Sequence, residues 1–174
     1  IDPEDPDSYY NRALAKENLD DDSGAIADYN KAIKIDPEYI NAYINRGLLK
    51  HEKGDYSGAI SDYNKAIKID PEESLAYYNR ALAKESLDDS SGAIADYTKA
   101  IKIDPEDKES YLNRGLLKDQ KGDHSEAIAD YNKALKINPE YSLAYYNRAI
   151  AKENLDDNSG AIADYTKVIK IDRK

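Results

Sequence analysis

The sequence predicts an all-α chain, an α-α superhelix built as a solenoid of stacked helix-turn-helix repeats. Three observations predict it. The stretch GAIADYNKAIKIDP, Gly24 to Pro37, returns as Gly58–Pro71, Gly92–Pro105 and Glu126–Pro139, and again as Gly160–Arg173, always 34 residues on. A fixed period of that size marks a stacked repeat architecture. Within each copy the apolar residues fall at three- and four-residue steps, as Ala25, Ile26, Tyr29, Ala32 and Ile33 do, which is one face of a helix. The Pro that closes the first four copies cannot continue that helix. One repeat cannot bury such a face alone, so the fold has to come from stacking.

The elements follow in order. Residues 1–5 form the tail of a preceding period, and the chain opens mid-phrase on IDPEDP, as an excised piece of a longer array would. Asp5-Pro6 is a helix start, with Asp as cap and Pro in the first turn. The first helix runs to about Leu19, Asp20–Asp22 make the turn, and the second helix runs to about Ile35. The same spacing places helices near 41–53, 56–69, 75–87, 90–103, 109–121, 124–137, 143–155 and 158–171. Asp21, Asp55, Asp89, Asp123 and Asp157 precede the second helices, where a carboxylate caps free N–H groups for roughly 0.5–2 kcal/mol each. Small residues (Ala13, Gly47, Ala81, Gly115, Ala149) mark close helix crossings, and Tyr9, Ala13 and Ala15 point to the core.

Composition narrows the function. The net charge is −10 and charged residues make up 34%. That disfavours nucleic acid and anionic membrane surfaces, which attract basic patches. No apolar run approaches the ~20 residues of a membrane span. Cys is absent, which removes disulfides, a Cys nucleophile and Cys-based metal sites and is compatible with a cytoplasmic protein. His51 and His124 occupy different repeat positions. The clusters Asp20–Asp22, Asp88–Asp89 and Asp156–Asp157 lack the alternating acids and terminal Glu of a calcium loop. No phosphate loop and no Ser/His/Asp set is legible. No enzyme activity and no cofactor are expected.

Each first helix reads Tyr-x-Asn-Arg-(Ala/Gly) with Lys three residues on, and each second helix reads Ala-Ile-x-Asp-Tyr-x-Lys-(Ala/Val). This pattern resembles the tetratricopeptide repeat. The resemblance implies a right-handed superhelix, one domain over 1–174 with repeats 6–39, 40–73, 74–107, 108–141 and 142–174, and a concave groove lined by first helices. The chain departs from the family in having Tyr where a large Trp often opens the first helix, and Arg and Lys where Leu and Tyr are frequent. Turn Gly appears only at Gly54 and Gly122, with Asp20, Asp88 and Asp156 elsewhere. Residues 9–37 match 77–105 at 26 of 29 positions but match 43–71 at only 20 of 29. The true period is therefore a repeat pair, 68 residues, from a recent duplication or from deliberate construction.

The stripe Asp7, Tyr10, Asn11, Leu14, Glu17, Asn18 shares a face at helical spacing, and the resemblance makes it the groove. Asn11, Asn45, Asn79, Asn113 and Asn147 then form a ladder. An amide offers both donors and acceptors, which suits an extended peptide main chain, much like the amide ladder of a glycosyltransferase in the family; the alternative is that these Asn stiffen the stack. Leu14, Leu48, Leu82, Leu116 and Ile150 form a second ladder beside Tyr10, Ile44, Tyr78, Leu112 and Tyr146, with packing between first helices as its main role. The stripes hold Asp7, Glu17, Glu52, Glu85, Glu109, Asp119 and Glu153 and no cation. The expected partner is a protein or extended peptide, neutral or basic, and not the carboxylate terminus that chaperone-binding members grip with Lys and Arg. Each first-helix Arg should pair with a second-helix Asp: Arg12, Arg46, Arg80, Arg114 and Arg148 against Asp28, Asp62, Asp96, Asp130 and Asp164. Lys31 and Lys34 read as a solvated convex face. The alternative function is a structural solenoid that associates end to end, because the last second helix keeps Ile162, Tyr165, Ile169 and Ile171.

Overall fold

The computed structural model describes residues 4–173, and among them there are ten helices and no strand. The expectation for residues 1–5 falls partly on 1–3, outside the described residues, as does Lys174. First helices are α1 (Pro6–Glu17), α3 (Ile40–Glu52), α5 (Ser74–Glu85), α7 (Lys108–Gln120) and α9 (Ser142–Glu153). Second helices are α2 (Asp22–Ile35), α4 (Tyr56–Ile69), α6 (Ser90–Ile103), α8 (His124–Ile137) and α10 (Asn158–Ile171). The chain forms two compact units, residues 1–89 and 90–174. In the first, α1 packs on α2 and α3 on α4, with α3 on α2 and α5 on α4. In the second, α7 packs on α8 and α9 on α10, with α7 on α6 and α9 on α8. No helix among the described residues is long and apolar enough to cross a membrane.

The local chemistry accounts for the boundaries. Asp5 accepts from Asp7 N at 3.2 Å and Ser8 N at 3.0 Å, with Pro6 in the first turn. Asp21, Asp55 and Asp157 accept from Gly24 N, Gly58 N and Gly160 N at 2.9–3.0 Å. Asp123 departs from the expected cap and makes no such bond. The reason is steric: a Cβ on Gly58 would sit 2.0 Å from Asp55 Oδ2, and at the equivalent position the helix that Asp123 precedes carries Glu126. We therefore expect Asp55→Ala to cost about 1 kcal/mol and Asp123→Ala to cost far less, measured by thermal unfolding. The turns need left-handed backbone. Gly54 and Gly122 supply it at φ 80° and 88°, and Asp20, Asp88 and Asp156 adopt it at 58–60°, as short polar residues tolerate.

The core alternates alanine and tyrosine. Ala13, Ala25, Tyr29, Ala32, Ala42 and Leu49 form one buried cluster. Leu112, Ala127, Tyr131, Ala134, Leu135, Ala144 and Ala151 form its counterpart. Ala13 is fully buried as expected. Ala15 is not: it is exposed, whereas its equivalents Leu49, Ala83, Leu117 and Ala151 are buried. That position packs against the second helix of the preceding repeat, as Leu49 does with Ala25 and Tyr29, and no described helix precedes α1. Gly47 and Gly115 are required by close approach, since a Cβ there would lie 2.7 Å from Cε1 of Tyr63 or Tyr131.

Candidate functional site

The first-helix stripe is built differently from one repeat to the next. In the first unit, Tyr10 packs on Tyr29 and Tyr39 with ring centroids 5.7 and 5.1 Å apart. Asn45 Nδ2 donates to the Tyr10 hydroxyl at 3.0 Å. Asn11 is exposed, and Leu48 and Leu82 are half-buried along the stripe. Asn79 is only 5% exposed, and its Nδ2 is buried without a hydrogen-bond partner. The hydroxyl that serves Asn45 has no counterpart there, because the residue at the Tyr10 position one repeat on is Ile44. Tyr78 is half-buried. In the second unit, Asn113 and Leu116 are half-buried and Leu112 is buried. Asn147 turns its Nδ2 onto Leu143 O of its own helix at 2.8 Å. Tyr146 is exposed and meets Tyr165 edge-on at 5.8 Å.

The acids of the stripe are largely engaged. Asp7 accepts from Tyr39 Oη at 2.6 Å. Glu17 and Glu153 accept from the hydroxyls of Tyr29 and Tyr165. The bond to Glu153 is the main cause pushing the Tyr165 phenol up to about 12. Glu109 pairs with Lys108 at 2.7 Å. At the position of Glu17, the repeat that holds Tyr63 carries His51, and the one that holds Tyr131 carries Asp119, which is bonded to His124 Nδ1 at 2.6 Å. The hydroxyls of Tyr63 and Tyr131 are accordingly buried and unpartnered.

The Arg–Asp pairing is present, and each of the described pairs lies within one repeat. Nε of Arg12, Arg46, Arg114 and Arg148 lies 2.7–2.9 Å from Oδ2 of Asp28, Asp62, Asp130 and Asp164. The sequence reading missed the third member. Lys16, Lys50, Lys118 and Lys152 bring Nζ within 2.8–3.0 Å of the same carboxylates; the Arg-to-Lys spacing of four was the available signal. Arg46 and Arg148 also donate back to Asn30 and Asn132 of the preceding repeat. Each guanidinium stacks over the Tyr three residues before it, Arg46 at 5.5 Å from the Tyr43 centroid. These cations are committed to the fold. The hydrogen bond from Arg12 is the main cause holding Asp28 below its ordinary 3.8, against burial. At Asp164, burial pushes up but Arg148 and Lys152 outweigh it, and the net shift is down. With folded values depressed, this stabilisation is present above pH 3.8 and is lost as the pH falls through the folded values.

Against known proteins, models described as "TPR repeat" match residues 21–54 and 49–88. Models described as "Tetratricopeptide repeat" match 74–107, 109–141 and 130–163. No curated protein matches. Among solved structures, MamA is 27% identical with a TM-score of 0.88, over 97% of this chain and 92% of that one. MamA from Desulfovibrio magneticus RS-1 is 18% identical with a TM-score of 0.88, over 99% and 97%. YrrB, described as a TPR protein with an unusual peptide-binding site, is 23% identical with a TM-score of 0.80, over 97% and 87%.

Proposed function

This chain belongs to the tetratricopeptide repeat family, and from that premise we propose that it is a non-enzymatic scaffold that holds an extended segment of a partner protein along its first helices. On this proposal residues 1–174 work as one domain. The observation that carries the reading is Asn79, whose buried Nδ2 has no acceptor. A buried amide N–H left unbonded costs about 1–3 kcal/mol, so a change of Asn79 side-chain conformation that brings Nδ2 out to a main-chain carbonyl is favoured by that amount. Leu48, Leu82 and Leu116 with Tyr10, Tyr78 and Tyr146 offer apolar contact, and Asn11 and Asn113 extend the amide line, which Asn45 and Asn147 join through their Oδ1 because their Nδ2 is spent on Tyr10 and Leu143 O. The stripe carries acids and no cation, which favours a neutral or basic segment. YrrB lends its fold to this reading and nothing more.

Affinity should be about micromolar, or about −8 kcal/mol. The test is capture from a library of extended peptides, followed by titration of Asn79→Ala plus Asn113→Ala. We expect about tenfold weaker binding, or about 1.4 kcal/mol. Asn79→Ala alone should not lower the melting temperature, since it removes a buried Nδ2 that is unbonded in the free chain. Unchanged affinity would make the ladder purely structural.

A further inference from the structure

We infer a second binding surface, independent of the first-helix stripe: a set of clefts, seen in the first, second and fourth repeats, that accept the carboxylate side chains of an extended acidic segment of a partner protein. The same cleft recurs three times between the two helices of a hairpin and the turn before it. In the first unit it is lined by Tyr43, Lys65, Lys68, Ile69, Pro37 and Glu38, with a volume of 390 Å³. A sister cleft of 220 Å³ lies beside Tyr9, Lys31 and Lys34. In the second unit, Tyr111, Lys133 and Lys136 line another of 220 Å³.

The charge pattern identifies the occupant. The chain is strongly acidic, with a net charge of −10. Four of its Arg and four of its Lys are bound to the buried Asp28, Asp62, Asp130 and Asp164. By contrast, Lys31, Lys34, Lys65, Lys68, Lys133 and Lys136 are exposed and have neither ion pair nor hydrogen bond among the described residues. Each pair is spaced i, i+3, which puts both ammonium groups on one side of a helix. One glutamate also lines each cleft (Glu4, Glu38 or Glu106), so two cations against one anion leave a net positive site.

The walls favour glutamate. The ring of Tyr43, with Pro37 and Ile69, is an apolar surface for side-chain methylenes, while the lysine pair meets the carboxylate. The Tyr43 hydroxyl donates to Pro37 O at 3.3 Å. An exposed ion pair contributes only about 0–1 kcal/mol, so one carboxylate alone would bind negligibly. Recurrence of the cleft from repeat to repeat within the first unit converts weak contacts into useful affinity for a linked acidic chain.

The test uses the intact chain and a fluorescently labelled oligoglutamate peptide, followed by anisotropy at low and high salt. Binding should be measurable at low salt and weaken as salt rises. Changing Lys31, Lys34, Lys65, Lys68, Lys133 and Lys136 to Gln should weaken it by about tenfold or more. Changing the same six to Arg should retain it. A control with Lys53→Gln and Lys121→Gln, away from the clefts, should bind as the parent does. Superimposable melting curves confirm that the variants fold, as their exposed positions lead us to expect. Four results would overturn the inference: no binding by the parent chain, equal loss in the control, displacement of the peptide by inorganic phosphate at equal charge, or clefts filled by a second copy, seen as self-association in sedimentation that the Gln variant abolishes.

Discussion

Asp62→Ala should lower the stability of the first unit by about 3 kcal/mol, because it strands two cations at once. Arg46 and Lys50 meet the Asp62 carboxylate at 2.5 and 2.8 Å, and their side chains are only 15% and 23% exposed. Removing the anion leaves both charges short of water and of a counter-charge, Arg46 keeping only Asn30 and the Tyr43 ring. The same change at Asp28 should cost about 1 kcal/mol, nearer the value of exposed pairs. Its Arg12 is 59% exposed and can rehydrate. Both sites are triads on a buried carboxylate, since Lys16 also meets Asp28 at 2.8 Å, and the contrast isolates the exposure of the arginine. Urea unfolding of the two variants checks it, and equal losses would show that burial does not set the strength of the interaction.

Tyr131→Ala should cost about 4 kcal/mol, the range for truncating a buried aromatic, whereas Tyr131→Phe should be neutral or stabilising by up to about 1 kcal/mol. The ring is fully buried among Leu112, Ala127, Ala134 and Ala144. Its hydroxyl has no partner, and burial is the main cause that pushes the phenol's pKa upward. Tyr29→Phe should go the other way, because that hydroxyl donates to Glu17. Thermal unfolding of the three variants decides the matter. A loss for Tyr131→Phe as large as that for Tyr29→Phe would contradict the assignment of an unsatisfied hydroxyl.

These cases also show what the sequence made legible. The second helices α4, α6, α8 and α10 begin and end where the spacing places them, and α2 takes in Asp22, expected in the turn; a closing Pro marks the end of the first four, while α10 runs to Ile171 without one. The first helices α1, α5 and α9 stop two residues early, because the turn starts before the left-handed Asp20, Asp88 or Asp156. The Arg–Asp pairs were readable because both residues recur in every period. The shared Lys recurs just as regularly, four residues after the Arg, and only the side-chain geometry shows that one carboxylate takes both cations. The Asn positions look identical in sequence yet have different partners. The deciding residue lies one repeat earlier, Tyr10 for Asn45 and Ile44 for Asn79. The 68-residue alternation contained that signal, but only helix stacking shows which positions it couples. Lys31 and Lys34 are exposed, as expected, but nothing in their spacing reveals the tyrosine across the hairpin.

The most direct test of the scaffold assignment is amide chemical-shift mapping of the chain with a captured neutral or basic peptide. The account predicts that shifts concentrate on α3, α5 and α7, with side-chain amide signals of Asn79 and Asn113 among the largest. Shifts confined to the second helices, with the Asn side-chain signals unmoved at saturation, would contradict it.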